Sequence, residues 1–221
     1  MANESSQDDY VPALRYRWLT PFYDAIVGTT TRERTFKYAL ISQANIRSNQ
    51  RVLDLACGTG TLSIWIKSAH PQAEIVGIDG DPEMLSFATN KATSAGVSIE
   101  FRTAMSYDLP YPDASFDRVV SSLFFHHLTW DNKIKTAREV CRVLKPGGQF
   151  HVADWGKADN IVMRGLFLFV QLLDGFKNTQ DNVTGKLVNV FEQAGMTDVR
   201  THRTISTMFG TMALYSAARP E

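Results

Sequence analysis

Residues 52–63 read VLDLACGTGTLS: an apolar run carrying one acid, Asp54, then a glycine pair, Gly58 and Gly60. Arg51 to Ala56 has the length and apolar character of a buried strand. Thr61 to Ala69 reads as a helix, with Leu62, Ile64, Trp65 and Ile66 as its apolar members. Strand, tight glycine reversal and helix together make the first half of a parallel crossover unit. The glycines leave the turn without side chains, so a ligand can approach the backbone, and the helix start offers unpaired N–H groups. In an open α/β sheet, ligands bind in the crevice at the carboxyl ends of the strands.

Outward from this unit the alternation continues. Upstream, Arg32 to Ala44 spaces Phe36, Ala39, Leu40 and Ile41 at helical intervals. Before it, Tyr16 to Ile26 is aromatic-rich and broken by Pro21. Downstream, Glu74 to Asp79 is the second strand and Pro82 to Ala95 a helix with proline in its first turn. Ser98 to Ala104 is a third strand, and a proline-rich turn from Leu109 to Ser115 leads to a fourth, Phe116 to Ser122. A helix over Asn132 to Leu144 stops at KPGG, and Gly148 to Trp155 is the fifth strand. Two helices follow, Ile161 to Phe176 and Val183 to Ala194, the second ended by Gly195. Val199 to Ile205 and Thr211 to Ala217 are too close in sequence for a crossover and pair as an antiparallel hairpin at the sheet edge. The pattern predicts one α/β domain with helices on both faces of a mostly parallel, seven-stranded sheet and an antiparallel final strand.

Composition narrows the partners. Lys plus Arg and Asp plus Glu both total 23, so the net charge is zero, which disfavours nucleic acid as a partner. Cys57 and Cys141 stand 84 residues apart and outside any CxxC or Cys/His cluster, so no metal site is expected. The opening residues MANESSQDDY carry neither a basic segment nor an apolar one, unlike a secretory signal. The most apolar window, Ile161 to Leu173, contains Arg164 and Gln171 and falls short of the roughly 18–20 residues of a membrane span. A soluble, cytoplasmic protein with no transmembrane segment is the expectation.

The glycine loop departs from the dinucleotide fingerprint GxGxxG/A, because Ser63 occupies the third position. Asp54, four residues ahead of Gly58, suits a ligand with an amino group better than a pyrophosphate. Asp79 ends the second strand 19 residues after Gly60, where an acid accepts hydrogen bonds from ribose hydroxyls. A ribose without pyrophosphate, joined to a cation, describes S-adenosylmethionine.

VLDLACGTG, VGIDGDPEML, LPYPDASFDRVVSSLFFHHL and LKPGG, in this order and spacing, strongly resemble the class I S-adenosylmethionine-dependent methyltransferases. The resemblance is to the small-molecule branch that includes the ubiquinone/menaquinone biosynthesis enzymes. It covers residues 15 to 155 by motif and the remainder by element order. It implies a Rossmann-like fold with an N-terminal tail over 1–12, a helical cap over 13–45 and a cofactor-binding core over 46–155. A substrate lid helix over 156–180 and a last helix with the strand hairpin over 181–221 complete it. By resemblance, Asp54 holds the glycine loop and faces the methionyl amino end, while Ala56, Gly58, Thr59 and Gly60 wrap the methionyl part. Asp79 bonds the ribose and Gly80 lies beside the adenine. Met105 and Ser106 flank the adenine edge, although many members carry Asp or Asn where Met105 stands. Ser121 and Ser122 lie near the methyl-transfer region, and Tyr23 falls in a stretch that closes over the cofactor.

His126 and His127 follow the fourth strand at the mouth of the crevice, where either is placed to act as a general base, His126 first. The alternative is that they only shape the loop; for Asp54 and Asp79 the lesser alternatives are an acid that braces its loop and one that caps the next helix, neither touching a ligand. Leu166, Phe167, Val170 and Leu173 form a stripe that is either core or the wall of an apolar substrate pocket. The activity implied is in-line transfer of a methyl group to a small, partly hydrophobic acceptor: a quinone precursor, a lipid headgroup or an aromatic metabolite. The alternative is an S-adenosylmethionine-binding module or partner subunit without transferase activity of its own. The sequence leaves oligomeric state open.

Overall fold

The computed structural model describes residues 32–157, 165, 181–182, 184–208 and 210–221. Within them, seven strands form one sheet: β1 (Arg51–Leu55), β2 (Glu74–Asp79), β3 (Glu100–Thr103), β4 (Phe116–Ser122), β5 (Leu144–Trp155), β6 (Thr197–Ser206) and β7 (Thr211–Ala218). Their order is β3-β2-β1-β4-β5-β7-β6. The strands from β3 to β5 run parallel, and β7 is antiparallel to both β5 and β6. This is the Rossmann-like methyltransferase sheet the sequence predicts. The expected hairpin forms, with the later strand on the inside. TMALYSAA in β7 is nearly all buried, whereas TDVRTHRTIS in β6 is mostly exposed. The apolar run takes the place covered on both faces, and the charged strand guards the open edge.

Helices α1 (Glu33–Ala44), α2 (Thr61–Ala69), α3 (Pro82–Ser94), α4 (Trp130–Val143) and α5 (Leu187–Gln193) flank the sheet. Strand alternation divides the core between its two faces. Leu53, Leu55, Phe150 and Val152 pack with Val140 of α4 and Phe191 of α5. Val52, Ala153 and Trp155 pack on the other face with Phe36 and Leu40 of α1 and Leu62 and Ile66 of α2. Asp54 shares the face of Val52, and Asp154 that of Val152, so the two buried acids point to opposite sides of the sheet.

Several boundaries differ from the sequence reading by one or more residues, and three of them have a local reason. Helix α4 begins at Trp130 because Thr129 caps it, its hydroxyl accepting from the Asn132 amide. KPGG ends that helix but lies inside β5, in an irregularity between the pairs Phe116–Leu144 and Arg118–Gln149. The last helix starts at Leu187 rather than Val183, because Gly185 just ahead has φ +76°, outside helical space. The tail over 1–12, the Tyr16–Ile26 stretch with Tyr23, and the Ile161–Phe176 helix apart from Gly165, with its Leu166, Phe167, Val170 and Leu173 stripe, lie outside the described residues. No helix among the described residues is long and apolar enough to cross a membrane.

Candidate active site

Strand β1 pairs with β2 on one side and β4 on the other, so chain connections diverge on either side of it and a crevice opens at its carboxyl end. Two loops form the crevice. The loop after β1 turns at Ala56 (φ +56°) and carries left-handed glycines Gly58 (φ +53°) and Gly60 (φ +75°). Its amides are tied to the neighbouring strand: Cys57 N–H donates to the Ile78 carbonyl at 2.8 Å, and Gly58 N–H to Asp79 Oδ2 at 2.9 Å. Gly60 is required by packing as well as by its φ. A Cβ there would stand 2.9 Å from the Ala88 Cβ of α3. Lys91 of α3 steadies the same loop, its ammonium donating to the hydroxyls of Thr59 at 3.1 Å and Thr61 at 2.7 Å.

Asp54 lies behind this loop, 1% exposed, and accepts a 2.5 Å hydrogen bond from the Ser63 hydroxyl. Ser63, which sets this loop apart from the dinucleotide fingerprint, is therefore the partner of the strand acid. Burial pushes the Asp54 carboxyl up to about 6, against the pull of the Ser63 hydroxyl and the Lys37 ammonium. Lys37 itself is buried on α1 and paired to Glu33 at 2.6 Å.

The crevice holds a cavity with about 750 Å³ of empty space, part of it open to solvent. Ala56 after β1, Ile78, Asp79 and Gly80 at the end of β2, and Ala104, Met105, Ser106 and Tyr107 after β3 line one side. Ser122, Leu123, Phe124, His127 and Leu128 form the opposite wall. Asp79 accepts from the Gly58 amide on Oδ2 and the Asp81 amide on Oδ1, at 2.9 Å each. Three amides in all do not fill the acceptor sites of the carboxylate. Burial raises the Asp79 carboxyl above its ordinary value, against three backbone amides that lower it. Ser106 shares a 2.8 Å hydrogen bond with Thr136 of α4.

Of the residues singled out by sequence, the cavity thus gathers Ala56, Asp79, Gly80, Met105, Ser106, Ser122 and His127. Asp54, Gly58, Thr59, Gly60, Ser121 and His126 support it from behind. Ser121 is buried with its hydroxyl donated to the Leu55 carbonyl at 2.9 Å, which ties β4 to β1.

The two histidines separate by role. His127 faces the cavity, and burial, with the neighbouring His126, pushes its imidazole down to about 3, leaving it uncharged near neutrality. His126 sits behind it, 3% exposed, with ring centroids 4.0 Å apart and Nδ1 2.7 Å from Asp154 Oδ1. Asp154 is wholly buried at the end of β5. Its desolvation is outweighed by His126 and the Trp155 amide, which hold its carboxyl below the usual range. Sequence reasoning missed Asp154, although an acid in HVADW repeats the signal that Asp54 gives in VLDLA. It also missed Lys133 of α4, fully buried and 3.6 Å from Asp181. Among the described residues, no cluster of three or more histidine, cysteine or acidic side chains is arranged to hold a metal ion.

Comparison with known proteins places this geometry among relatives. Residues 52–148 match the family model described as a methyltransferase domain. The demethylmenaquinone methyltransferase of Deinococcus radiodurans is 39% identical over 133 residues, covering 59% of this chain and 54% of that protein. The chain thus spans about half the length of the curated relatives it matches at this level. The ubiquinone/menaquinone biosynthesis C-methyltransferase UbiE of Syntrophotalea carbinolica is 28% identical over 204 residues, covering 85% of this chain and 84% of that one. Among solved structures, the YcgJ protein of Bacillus subtilis superposes with a TM-score of 0.66 at 20% identity, covering 84% of this chain and 98% of that chain.

Proposed function

We propose that the chain is a class I S-adenosylmethionine-dependent methyltransferase, a reading supported by its match to a methyltransferase domain over residues 52–148, and that it transfers a methyl group to a small, partly hydrophobic acceptor. The carrying observation is that one cavity joins the acid at the end of β2 to the apolar wall after β4. Quinone precursors lead the candidate acceptors, ahead of lipid headgroups and other aromatic metabolites. Leu123, Phe124 and Leu128 offer such a ring apolar contact, and the sequence relatives are named for quinone methylation.

The residues present fit the cofactor. Asp79 has acceptor capacity left for ribose hydroxyls, Ile78, Ala104 and Met105 give apolar contact to a purine, and a Cβ added at Gly58 would meet nothing within 4 Å. S-adenosylmethionine, when bound, supplies an electrophilic methyl group. The protein then has to orient the acceptor in line with that methyl and exclude water. Asp54, ionised above about pH 6, adds negative potential behind the glycine loop. His127, uncharged and in the cavity, is the imidazole placed to hydrogen-bond an acceptor oxygen, with His126 and Asp154 behind it.

Calorimetry with S-adenosylmethionine and S-adenosylhomocysteine tests the reading. Both are expected to bind, and Asp79→Ala is expected to weaken binding by at least about 1 kcal/mol, the scale of a lost hydrogen bond. Unchanged affinity in that variant would refute the ribose assignment. Failure of the wild-type protein to bind either ligand would remove the methyltransferase reading altogether.

A further inference from the structure

The two loops of the crevice are built alike. Each strand, β1 and β4, is followed directly by a non-glycine residue with positive φ, Ala56 at φ +56° and Leu123 at φ +55°, and both residues line the cavity. Such a conformation is disfavoured for a residue with a Cβ and persists where surrounding bonds hold it. In each case the adjacent outer strand supplies the hold. Cys57 N–H donates to the Ile78 carbonyl of β2, and Leu123 N–H donates to the Ala153 carbonyl of β5 at 2.9 Å. A carboxylate at the end of that outer strand then catches the next amides. Asp79 accepts from Gly58, and Asp154 Oδ2 accepts from Phe124 at 3.0 Å and Phe125 at 2.7 Å. The first acid holds the cofactor side, and the second holds the wall opposite.

The partners of Asp154 also fix its chemistry. Its Oδ1 meets His126 Nδ1 at 2.7 Å and accepts from the Trp155 amide at 2.7 Å. Three backbone N–H donors on one carboxylate use its lone pairs and favour the ionised form, which can only accept. The nitrogen facing Oδ1 must then carry a proton, so the hydrogen bond selects the His126 ring state. The His126 ring in turn lies against that of His127, at 4.0 Å between centroids.

We propose that Asp154 is the positioning residue of the methyl-acceptor wall: it closes the loop after β4 around Leu123 and locks His126 with its proton on Nδ1, thereby placing His127 in the cavity. The name of the wall rests on the methyl-transfer reading; the carboxylate, loop and ring arrangement does not. By this assignment Asp154 acts on one half of the crevice, and the cofactor half depends on Asp79.

Long-range ¹H–¹⁵N spectra of the histidine side chains in the full chain at pH 8 test it, with His126→Gln supplying the assignment. Wild-type His126 is expected to show a protonated Nδ1. Asp154→Asn should change the His126 signals and shift those of His127, while S-adenosylhomocysteine affinity by calorimetry stays within threefold. Asp154→Glu, which keeps the carboxylate, should retain the protonated Nδ1. The proposal is overturned if Nδ1 of wild-type His126 lacks its proton, or if Asp154→Asn leaves both histidines unchanged. A tenfold loss of S-adenosylhomocysteine affinity in Asp154→Asn also overturns it, since the acid would then serve the whole crevice. Should Asp154→Asn not fold, the wild-type ring state and the Asp154→Glu spectrum decide. Failure of the wild-type protein to bind S-adenosylhomocysteine counts against the methyltransferase reading alone.

Discussion

Asp54 is an ionisable group that the fold holds against its own preference. It is 1% exposed, and burial raises it to about 6 even with the Ser63 hydroxyl and Lys37 nearby. An acid whose folded value lies above its unfolded one binds its proton more tightly when folded, so stability is lost as pH rises from about 4 to about 6. Above that window the ionised carboxylate costs on the order of 3 kcal/mol, two pKa units and a fraction. Asp54→Asn keeps an oxygen for Ser63 and removes the charge. It is expected to raise unfolding stability at pH 7 by about 1–3 kcal/mol in urea titrations, while weakening S-adenosylmethionine binding at least fivefold. At pH 4, where wild-type Asp54 is largely protonated, the stability gap should close; a variant less stable than wild type at pH 7 would refute the cost. The acid itself was legible as a charge inside VLDLA. Its partner was legible only as an anomaly, Ser63 in a glycine's place, because a side-chain bond between a strand and the next helix leaves no periodic trace. Asp154 was still less visible: the residues it holds lie up to 30 positions earlier in the chain.

Among elements, the approach of α3 to the start of α2 depends on the glycine loop. Gly60 and Gly58 both have positive φ, so alanine strains either one. They differ in surroundings. A Cβ on Gly60 would meet Ala88 Cβ at 2.9 Å and Phe101 Cζ at 3.1 Å, whereas one on Gly58 meets nothing within 4 Å. Gly60→Ala is therefore expected to destabilise by about 2–4 kcal/mol, strain and overpacking together, and Gly58→Ala by about 1–2 kcal/mol, strain alone. Thermal unfolding of the two variants checks the order; equal losses would mean that α3 does not press on the loop. The bounds of β2 and β4 match the sequence reading, as both are short segments set between turn residues. Bounds slipped where backbone geometry overrode pattern, at the irregularity around Gly147 (φ +69°) and at Gly185 (φ +76°). Neither feature alters hydrophobic spacing, so neither is readable from it. The inside position of β7 agrees with its sequence, since the apolar stretch Met212 to Tyr215 needs cover on both faces.

For the whole molecule, pH ties the two faces of the sheet together. His127 beside the cavity and His151 on the opposite face are both pushed down to about 3. For His151 the causes are burial, then the charges of Arg118 and His202, while Gln43 of α1 lies 3.2 Å from its Nδ1. A base whose folded value is depressed contributes stability above its unfolded value near 6.5, and that stability is lost as pH falls below it. Asp54 opposes them, gaining a proton in the folded state across part of the same window, and Asp79 is raised in the same direction as Asp54. Around pH 5 the unfolded chain holds two extra protons on the imidazoles and the folded chain about one extra on Asp54. From these three groups alone the slope is about 1.4 kcal/mol of stability lost per pH unit on acidification, and the raised Asp79 carboxyl makes it shallower. Urea titrations at pH 6, 5 and 4 check it through two variants that move the slope in opposite directions. Asp54→Asn removes the opposing group and should steepen the loss toward about 2.7 kcal/mol per unit, whereas His151→Gln should flatten it toward zero. Parallel slopes in all three proteins would mean that these buried groups do not set the acid stability of the fold.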